Sequence, residues 1–377
     1  LLIYLDNAAT TYPKPESVYQ AAEKAMREGG GNPGRGLHPL ALKSTEIVYR
    51  TREKVADLFG GNPERVVFTP NATGALNLAI KGLARPGSHI LISDIEHNSV
   101  LRPVVSLAEQ GVRYSIFSSS GSDQDILASI ERNLHPSTCL LVACHRSNVA
   151  PITLPIEKIG KLCASKGIYF IVDASQSAGS VEISMDRMNI DVLCAPGHKG
   201  LFGLMGSGFA LFGRHIRAEK IKTIWEGGSG IDSRLQVMPN VLPERLEAGT
   251  LAVPAIASLG AGIDYVRLRS IQEIAAYENK LLLELYDRLS EIRKVQLYCR
   301  SKEKEGTTLL FNVDGIDAEQ VAMLLAKQHI CVRSGLHCSP LAHQSLGTPG
   351  GAVRVSLSPF NKREDLDSLY YAIQEWL

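Results

Sequence analysis

Ile168-Tyr169-Phe170-Ile171-Val172-Asp173-Ala174-Ser175-Gln176 and Asp191-Val192-Leu193-Cys194-Ala195-Pro196-Gly197-His198-Lys199-Gly200 are the two stretches from which the fold is read. Each is a strand-length apolar run that stops abruptly at polar residues. An unbroken apolar run suits a strand covered on both faces, as strands of parallel sheets are. Runs of the same kind occupy residues 65–69, 89–93 and 139–143. Helical patterns lie between them, as at 75–84 and 156–166, and a longer one at 40–59 is stopped by Gly60-Gly61. This βαβ rhythm predicts an α/β fold, a mostly parallel sheet with helices on both faces.

After Pro254 the texture changes. One long helical stretch, 256–292, leads into short strands near 309–313, 330–333 and 352–357. Leu366, Leu369, Ile373 and Trp376 then form one stripe of a terminal helix. The expected organisation is a large domain over 16–255, with 1–15 and 256–377 forming a smaller α+β domain.

The chain has 377 residues, which at about 150 residues per unit predicts two to three folding units. Such a length buries roughly three quarters of the unfolded surface and needs no disulfide or metal staple. Lys and Arg number 40 against 39 Asp and Glu, so no global field attracts a polyanion and nucleic acid is not the expected partner. The seven cysteines, at 139, 144, 163, 194, 299, 331 and 338, are odd in number and contain no C-x-x-C. Reduced thiols in a cytoplasmic protein fit that pattern best. No window approaches the roughly 20 apolar residues of a membrane span. The opening Leu1-Leu2-Ile3-Tyr4-Leu5 is too short for a signal core, and the missing initiator Met suggests a trimmed N-terminus.

In open α/β sheets, ligands sit beyond the carboxyl ends of the strands. Asp173 and Lys199 each close a buried run, 26 residues apart, and can face one crevice. Pyridoxal phosphate uses such a pair: the lysine holds its aldehyde, and the acid keeps the ring nitrogen protonated so that the ring accepts electrons. The plainer reading of the pair alone is a structural salt bridge. Other strand ends add to it. Asn71-Ala72-Thr73-Gly74 opens a helix and suits a phosphate, although Thr at that place is also an ordinary cap. Asp94-Ile95-Glu96-His97-Asn98 offers an imidazole able to stack on a flat ring, and His145-Arg146-Ser147-Asn148 is a further polar set. Gly203-Leu204-Met205-Gly206-Ser207-Gly208 has the wrong spacing for a dinucleotide fingerprint. No P-loop, no H-E-x-x-H and no histidine cluster at metal spacing occurs.

Tyr4-Leu5-Asp6-Asn7-Ala8-Ala9-Thr10, Asp173-Ala174-Ser175-Gln176, Gly197-His198-Lys199 and Arg245-Leu246-Glu247-Ala248-Gly249-Thr250 together resemble cysteine desulfurases and selenocysteine lyases. These belong to the class V aminotransferase branch of fold-type I pyridoxal phosphate enzymes, and the resemblance runs from Tyr4 to about Asn361. It implies that Lys199 binds the cofactor aldehyde, Asp173 pairs with the ring nitrogen, Gln176 reaches the ring hydroxyl and His97 stacks on the ring. It places Ala72, Thr73, Gly74 and His198 at the phosphate. Gly249 and Thr250 would reach the phosphate of a second subunit, which implies a homodimer with shared sites. Asn148 would lie near the ring hydroxyl and substrate, with Ala9 and Arg333 also at the substrate, and Arg354 would clamp its carboxylate. A guanidinium fork suits that bidentate task.

Arg333-Ser334-Gly335-Leu336-His337-Cys338 resembles the R-x-G-x-H-C loop of the Suf-type (group II) desulfurases, where the cysteine accepts sulfur. The implied reaction takes L-cysteine to L-alanine and leaves a persulfide on Cys338, to be passed to a small acceptor protein. His337, or the surroundings of the cofactor, is expected to help form the thiolate. The alternatives on the same scaffold are a selenocysteine lyase, a class V transaminase and a catalytically silent relative. Three positions depart from the pattern: Pro196 replaces a Ser or Thr, Leu204 a Pro, and Pro151 a Gly.

Overall fold

The computed structural model describes residues 2–298 and 306–377; Cys299 lies outside them. In chain order, strand β1 (Ile3–Tyr4) is followed by helices α1 (Glu16–Glu28) and α2 (Pro39–Phe59). Strands and helices then alternate as β2 (Val66–Thr69), α3 (Ala72–Leu83), β3 (His89–Ser93), α4 (Asn98–Ala108), β4 (Arg113–Phe117), α5 (Asp123–Asn133), β5 (Thr138–Cys144), α6 (Ile156–Lys166) and β6 (Tyr169–Asp173). Two more strands, β7 (Val192–Pro196) and β8 (Gly208–Phe212), precede helices α7 (Val253–Arg269) and α8 (Ile271–Ser290). The remainder is β9 (Val295–Leu297), β10 (Thr308–Val313), α9 (Ala318–Lys327), β11 (Ile330–Cys331), β12 (Arg333–Gly335), α10 (Pro340–Ser345), β13 (Ala352–Ser356) and α11 (Arg363–Glu375).

The larger sheet has the order β2-β8-β7-β6-β5-β3-β4. Its pairs are parallel except at β8, which runs antiparallel to both β2 and β7. The expected α/β architecture is therefore present, with one reversed strand. β2, β3, β6, β7 and β8 are covered on both faces along almost their whole length, through residues such as Ile90, Phe170, Val172, Leu193 and Phe209. Each such side chain stabilises the fold by about 1.5–3 kcal/mol, so Leu141→Ala in the centre of β5 should cost about 2–5 kcal/mol.

Local signals explain the helix ends that matter for the site. Asn71 caps α3 by accepting from the Gly74 amide at 2.9 Å, a contact worth about 1 kcal/mol. Gly60 closes α2 in the left-handed conformation, φ 70°, which glycine adopts without steric cost.

Two expectations need correction. The stretch 256–292 is not one helix: α7 ends at Arg269 and α8 begins at Ile271. Ser270 stands between them at φ 64°, and its hydroxyl accepts from the Glu273 amide at 3.1 Å, which caps the second helix. The strand expected at 330–333 is two strands in different sheets, β11 pairing with β1 and β12 with β13. The glycine-rich segment at 203–208 leads into the buried strand β8.

The smaller sheet has the order β12-β13-β10-β9 and is antiparallel. Leu5, Leu285, Phe311, Val353, Leu369 and Ile373 share its core. The expected division at 255/256 falls inside α7, which packs on α1 and α2. The chain start is tied to β13 through Asn7, whose amide nitrogen donates to Ser356 O at 3.0 Å. That tie carries residues 6–10 to the carboxyl ends of the larger sheet.

Candidate active site

β2, β3, β5, β6 and β7 all present their carboxyl ends to one edge of the larger sheet. A cleft of about 90 Å³ opens there. Its walls include Thr73 after β2, His97 after β3, Cys144 at the end of β5 and Asn148 beyond it, Asp173 at the end of β6 with Ser175 and Gln176 beyond it, and His198 and Lys199 after β7. The strand-end reading of Asp173, Lys199, His97, Asn148 and Ala72-Thr73 thus converges on one place.

The turn that carries Lys199 is built from close backbone approaches. Gly203 N donates to Gly197 O at 2.7 Å and Phe202 N to Lys199 O at 2.8 Å. A Cβ on Gly200 would lie 2.4 Å from Ala178 O, and one on Gly179 would lie 2.1 Å from Gly200 O. Only glycine fits there. Part of the Lys199 side chain opens into the cleft, yet protein surrounds it closely. That burial pushes its ammonium down to about 8, against the opposing pull of Asp173.

Asp173 is buried in register between Cys144 on β5 and Cys194 on β7. Its Oδ1 accepts from the Ser175 amide at 2.9 Å. Behind this floor lies Glu96, whose Oε1 accepts from Ser93 Oγ at 2.5 Å and from Cys144 N at 2.7 Å. Burial raises the Glu96 carboxyl to about 8, and the nearby Asp173 charge adds to that. Burial also pushes the Cys144 thiol well above its ordinary value, so it stays protonated and inert.

His97 forms the N-cap of α4, its Nδ1 accepting from the Ser99 amide at 3.0 Å. The Ser99 hydroxyl lies 2.7 Å from the same nitrogen and 2.8 Å from Thr73 Oγ1. A chain Thr73–Ser99–His97 therefore links the N-termini of α3 and α4. Burial lowers His97 to about 4 and His198 to about 4, so both imidazoles are neutral near pH 7. His198 Nδ1 is buried without a hydrogen-bond partner.

Arg354 on β13 is almost fully buried. Its Nη1 donates to Asn148 O at 2.9 Å and its Nη2 to Asp6 Oδ1 at 2.6 Å, while Nε has no partner. Its charge is felt at both Lys199 and His97, as is that of Arg333. Gln176 Nε2 donates to Ala8 O at 2.9 Å, which sets the segment holding Ala9 beside the cleft.

Asn148 also holds the loop after β12. Its Nδ2 donates to His337 O at 2.8 Å, and its Oδ1 accepts from Ser339 Oγ at 2.7 Å. The backbone is left-handed at His337 (φ 51°) and Cys338 (φ 57°), at a cost of roughly 1–2 kcal/mol per residue. Cys338 is exposed; the other described cysteines are buried or partly so. The expected help from His337 in forming the thiolate is not supported. Its ring turns inward onto His343 and Arg333 O, and burial pushes it down to about 3. Arg333 instead approaches the thiol, with Nη2 at 3.7 Å from Sγ.

Some expected residues stand elsewhere. Gly74 spends its amide on the Asn71 cap. Gly249 O accepts from Arg35 Nη2 at 3.2 Å and Thr250 Oγ1 from Asn32 Nδ2 at 3.2 Å, on the exposed surface outside this cleft. Ser99, Cys144, Glu96 and Asp6 were not singled out in the sequence. Ser99 follows His97 by two residues at a helix start, and Cys144 is the last residue before a polar set, so both had a positional signal. Asp6 and Glu96 had none beyond their neighbours.

Comparison with known proteins adds family context. The family model described as aminotransferase class V matches residues 3–369. A probable cysteine desulfurase of Methanothermobacter thermautotrophicus is 32% identical over 99% of this chain and 94% of its own. A probable cysteine desulfurase of Halobacterium salinarum is 31% identical over 99% of this chain and 91% of its own. The apo structure of a cysteine desulfurase from Thermococcus onnurineus superposes with a TM-score of 0.91 at 30% identity, covering 100% of this chain and 94% of that one.

Proposed function

The chain belongs to the aminotransferase class V family, and on that premise we propose that it is a pyridoxal phosphate-dependent cysteine desulfurase. It takes L-cysteine to L-alanine and leaves the sulfur as a persulfide on Cys338. The observation that carries this reading is the tie from the cleft to the exposed thiol: Asn148 lines the cleft and hydrogen-bonds both neighbours of Cys338.

The residues present fit the cofactor. Asp173 offers a buried carboxylate for a ring nitrogen, Lys199 an amine for an aldehyde, and His97 a neutral imidazole for the ring face. The N-terminus of α3, with Ala72 and Thr73, suits a phosphate, and the unpartnered His198 Nδ1 is a donor for one of its oxygens. Pro196 supplies no hydroxyl there, so His198 and Thr73 carry more of that task. When bound, pyridoxal phosphate supplies a carbonyl for the substrate amine and a ring that takes up the electron pair released at Cα.

The chain's own groups do the rest. Arg354 orients the substrate carboxylate through its unpartnered Nε edge. Lys199, with its pKa brought near 8 by burial, takes and returns the Cα proton close to neutral pH. The Cys338 thiolate bonds to the substrate sulfur as the carbon–sulfur bond breaks. The electron pair of that bond stays with the carbon skeleton, which is protonated and leaves as alanine. Arg333 lies beside that sulfur, its Nη2 3.7 Å from Sγ.

The enzyme acts as a homodimer in this reading. Segments 32–42 and 225–250, joined through Asn32 and Arg35, expose Leu37, Leu40, Trp225, Leu235, Val237 and Val241. A monomer rarely leaves so much apolar surface uncovered. Gly249 and Thr250 lie in the same region, where they would meet the partner's phosphate. Among the described residues no helix is long and apolar enough to cross a membrane, and the reduced thiols accord with a cytoplasmic enzyme. A small protein that docks beside the short Cys338 loop would take the sulfur onward.

Product analysis tests the proposal. With L-cysteine the enzyme should yield alanine and protein-bound persulfide in equal amounts. A keto acid with an aminated cofactor would identify a transaminase instead.

A further inference from the structure

We infer that His343, acting through His337, is a positioning residue that holds Cys338 where its thiol can reach the substrate sulfur. The inference rests on the proposal that Cys338 accepts the sulfur.

The hydrogen bonds join the two rings in one chain. His337 Nε2 lies 3.2 Å from Arg333 O, and a carbonyl only accepts, so Nε2 carries the hydrogen. Nδ1 of the same ring is then a lone pair. It faces His343 Nε2 at 3.0 Å, which must therefore donate. His343 Nδ1 lies 2.8 Å from Thr348 Oγ1 and 3.2 Å from Thr348 O, so Thr348 holds the far side of that ring. The two rings are stacked, 5.2 Å between centroids and 16° from parallel, and both are buried. Each ring nitrogen of the pair thus has a partner within the fold.

That chain fixes the residue before the thiol. The His337 ring is held by α10 on one side and by the start of β12 on the other. Its carbonyl is held by Asn148, and the carbonyl of Cys338 accepts from Asn98 N at 2.7 Å. Two successive left-handed residues that are not glycine have little reason to stay so unless their surroundings over-determine them. The ring chain supplies one of those determinants. Leucine at 343 would fill the space and leave His337 Nδ1 buried without a donor, which favours a different loop conformation. Glutamine at 343 places an amide N–H near the former Nε2 and can restore the bond.

Holoenzyme carrying His343→Leu, His343→Gln, Thr348→Val or Cys338→Ser tests this. His343→Leu should lower kcat for alanine formation from L-cysteine by on the order of 10–100-fold, with KM changed by no more than about twofold. The visible cofactor spectrum should stay as in the parent, because no ring of the pair touches the cleft. His343→Gln should recover most of the loss, and alkylation of Cys338 by iodoacetamide should change in rate with His343→Leu but not with His343→Gln. Thr348→Val, a milder change, should lower kcat in the same direction and serves if His343→Leu does not fold. Parent kcat in His343→Leu and Thr348→Val, a glutamine variant as slow as the leucine one, or a loss confined to KM would overturn the inference. Parent turnover in Cys338→Ser would instead overturn the proposal about the thiol.

Discussion

Asp6 and Arg354 meet carboxylate to guanidinium at 2.6 Å, which joins the segment after β1 to the centre of β13. With Nη1 on Asn148 O, this leaves the guanidinium held from two sides and its Nε edge without a partner. The arrangement fixes the orientation of the fork. An ammonium has no planar fork and cannot serve Asp6, Asn148 O and a carboxylate together. Arg354→Lys should therefore lower kcat/KM for L-cysteine by about 100-fold or more, the scale of a buried charged contact worth 2–5 kcal/mol. Steady-state kinetics measure it, and a change of less than about threefold, well under 1 kcal/mol, would remove Arg354 from the substrate's carboxylate.

Glu96 predicts a pH dependence of stability. In the unfolded chain its carboxyl ionises near the ordinary 4.5, and in the folded protein only near 8, because burial disfavours the charge. Between those values the folded state binds the extra proton, so this group's contribution falls as pH rises from 4.5 to 8 and is level above. Glu96→Gln never ionises and keeps an acceptor for Ser93 and Cys144. Its melting temperature should match the parent near pH 5 and exceed it increasingly toward pH 8. Parallel melting curves for the two proteins would contradict this.

Lys199 titrates with the opposite consequence. Once cofactor is stripped, the amine is held near 8 by burial while the unfolded chain keeps it near 10.5. Below about 8 the folded protein carries a buried charge at full cost, and between 8 and 10.5 the unfolded state binds the extra proton, so stability rises with pH. Cofactor-free Lys199→Met should be more stable than the cofactor-free parent at pH 7, and this advantage should shrink toward pH 10. Borohydride should fix added cofactor covalently to the parent and not to the variant. Covalent cofactor on Lys199→Met would show that another amine holds it.

Much of this site was legible because buried strands of parallel sheets are written as apolar runs. Asp173, Lys199 and His97 stand directly after such runs, and the fold brings those ends together. Strand β4 escaped the same test because it lies at the edge, where Arg113, Tyr114 and Ile116 are exposed and no unbroken apolar run exists. The break at Ser270 was hidden because serine is tolerated inside helical patterns, and only its left-handed backbone separates α7 from α8. The direction of the His337 ring depends on His343 and Arg333, contacts set by tertiary packing. Adjacency to Cys338 suggested a base; burial pushes the ring down to about 3. The tie between Asp6 and Arg354 spans nearly the whole chain and has no local signature.

The central claim is that Cys338 receives the substrate's sulfur, and the most direct test maps that sulfur. Enzyme treated briefly with L-cysteine, alkylated and digested should carry one additional sulfur atom on the peptide containing Cys338. The Cys338→Ser protein should carry none and form no alanine beyond background. Added sulfur on the peptide of Cys331 or Cys144, or undiminished alanine formation in Cys338→Ser, would contradict the account.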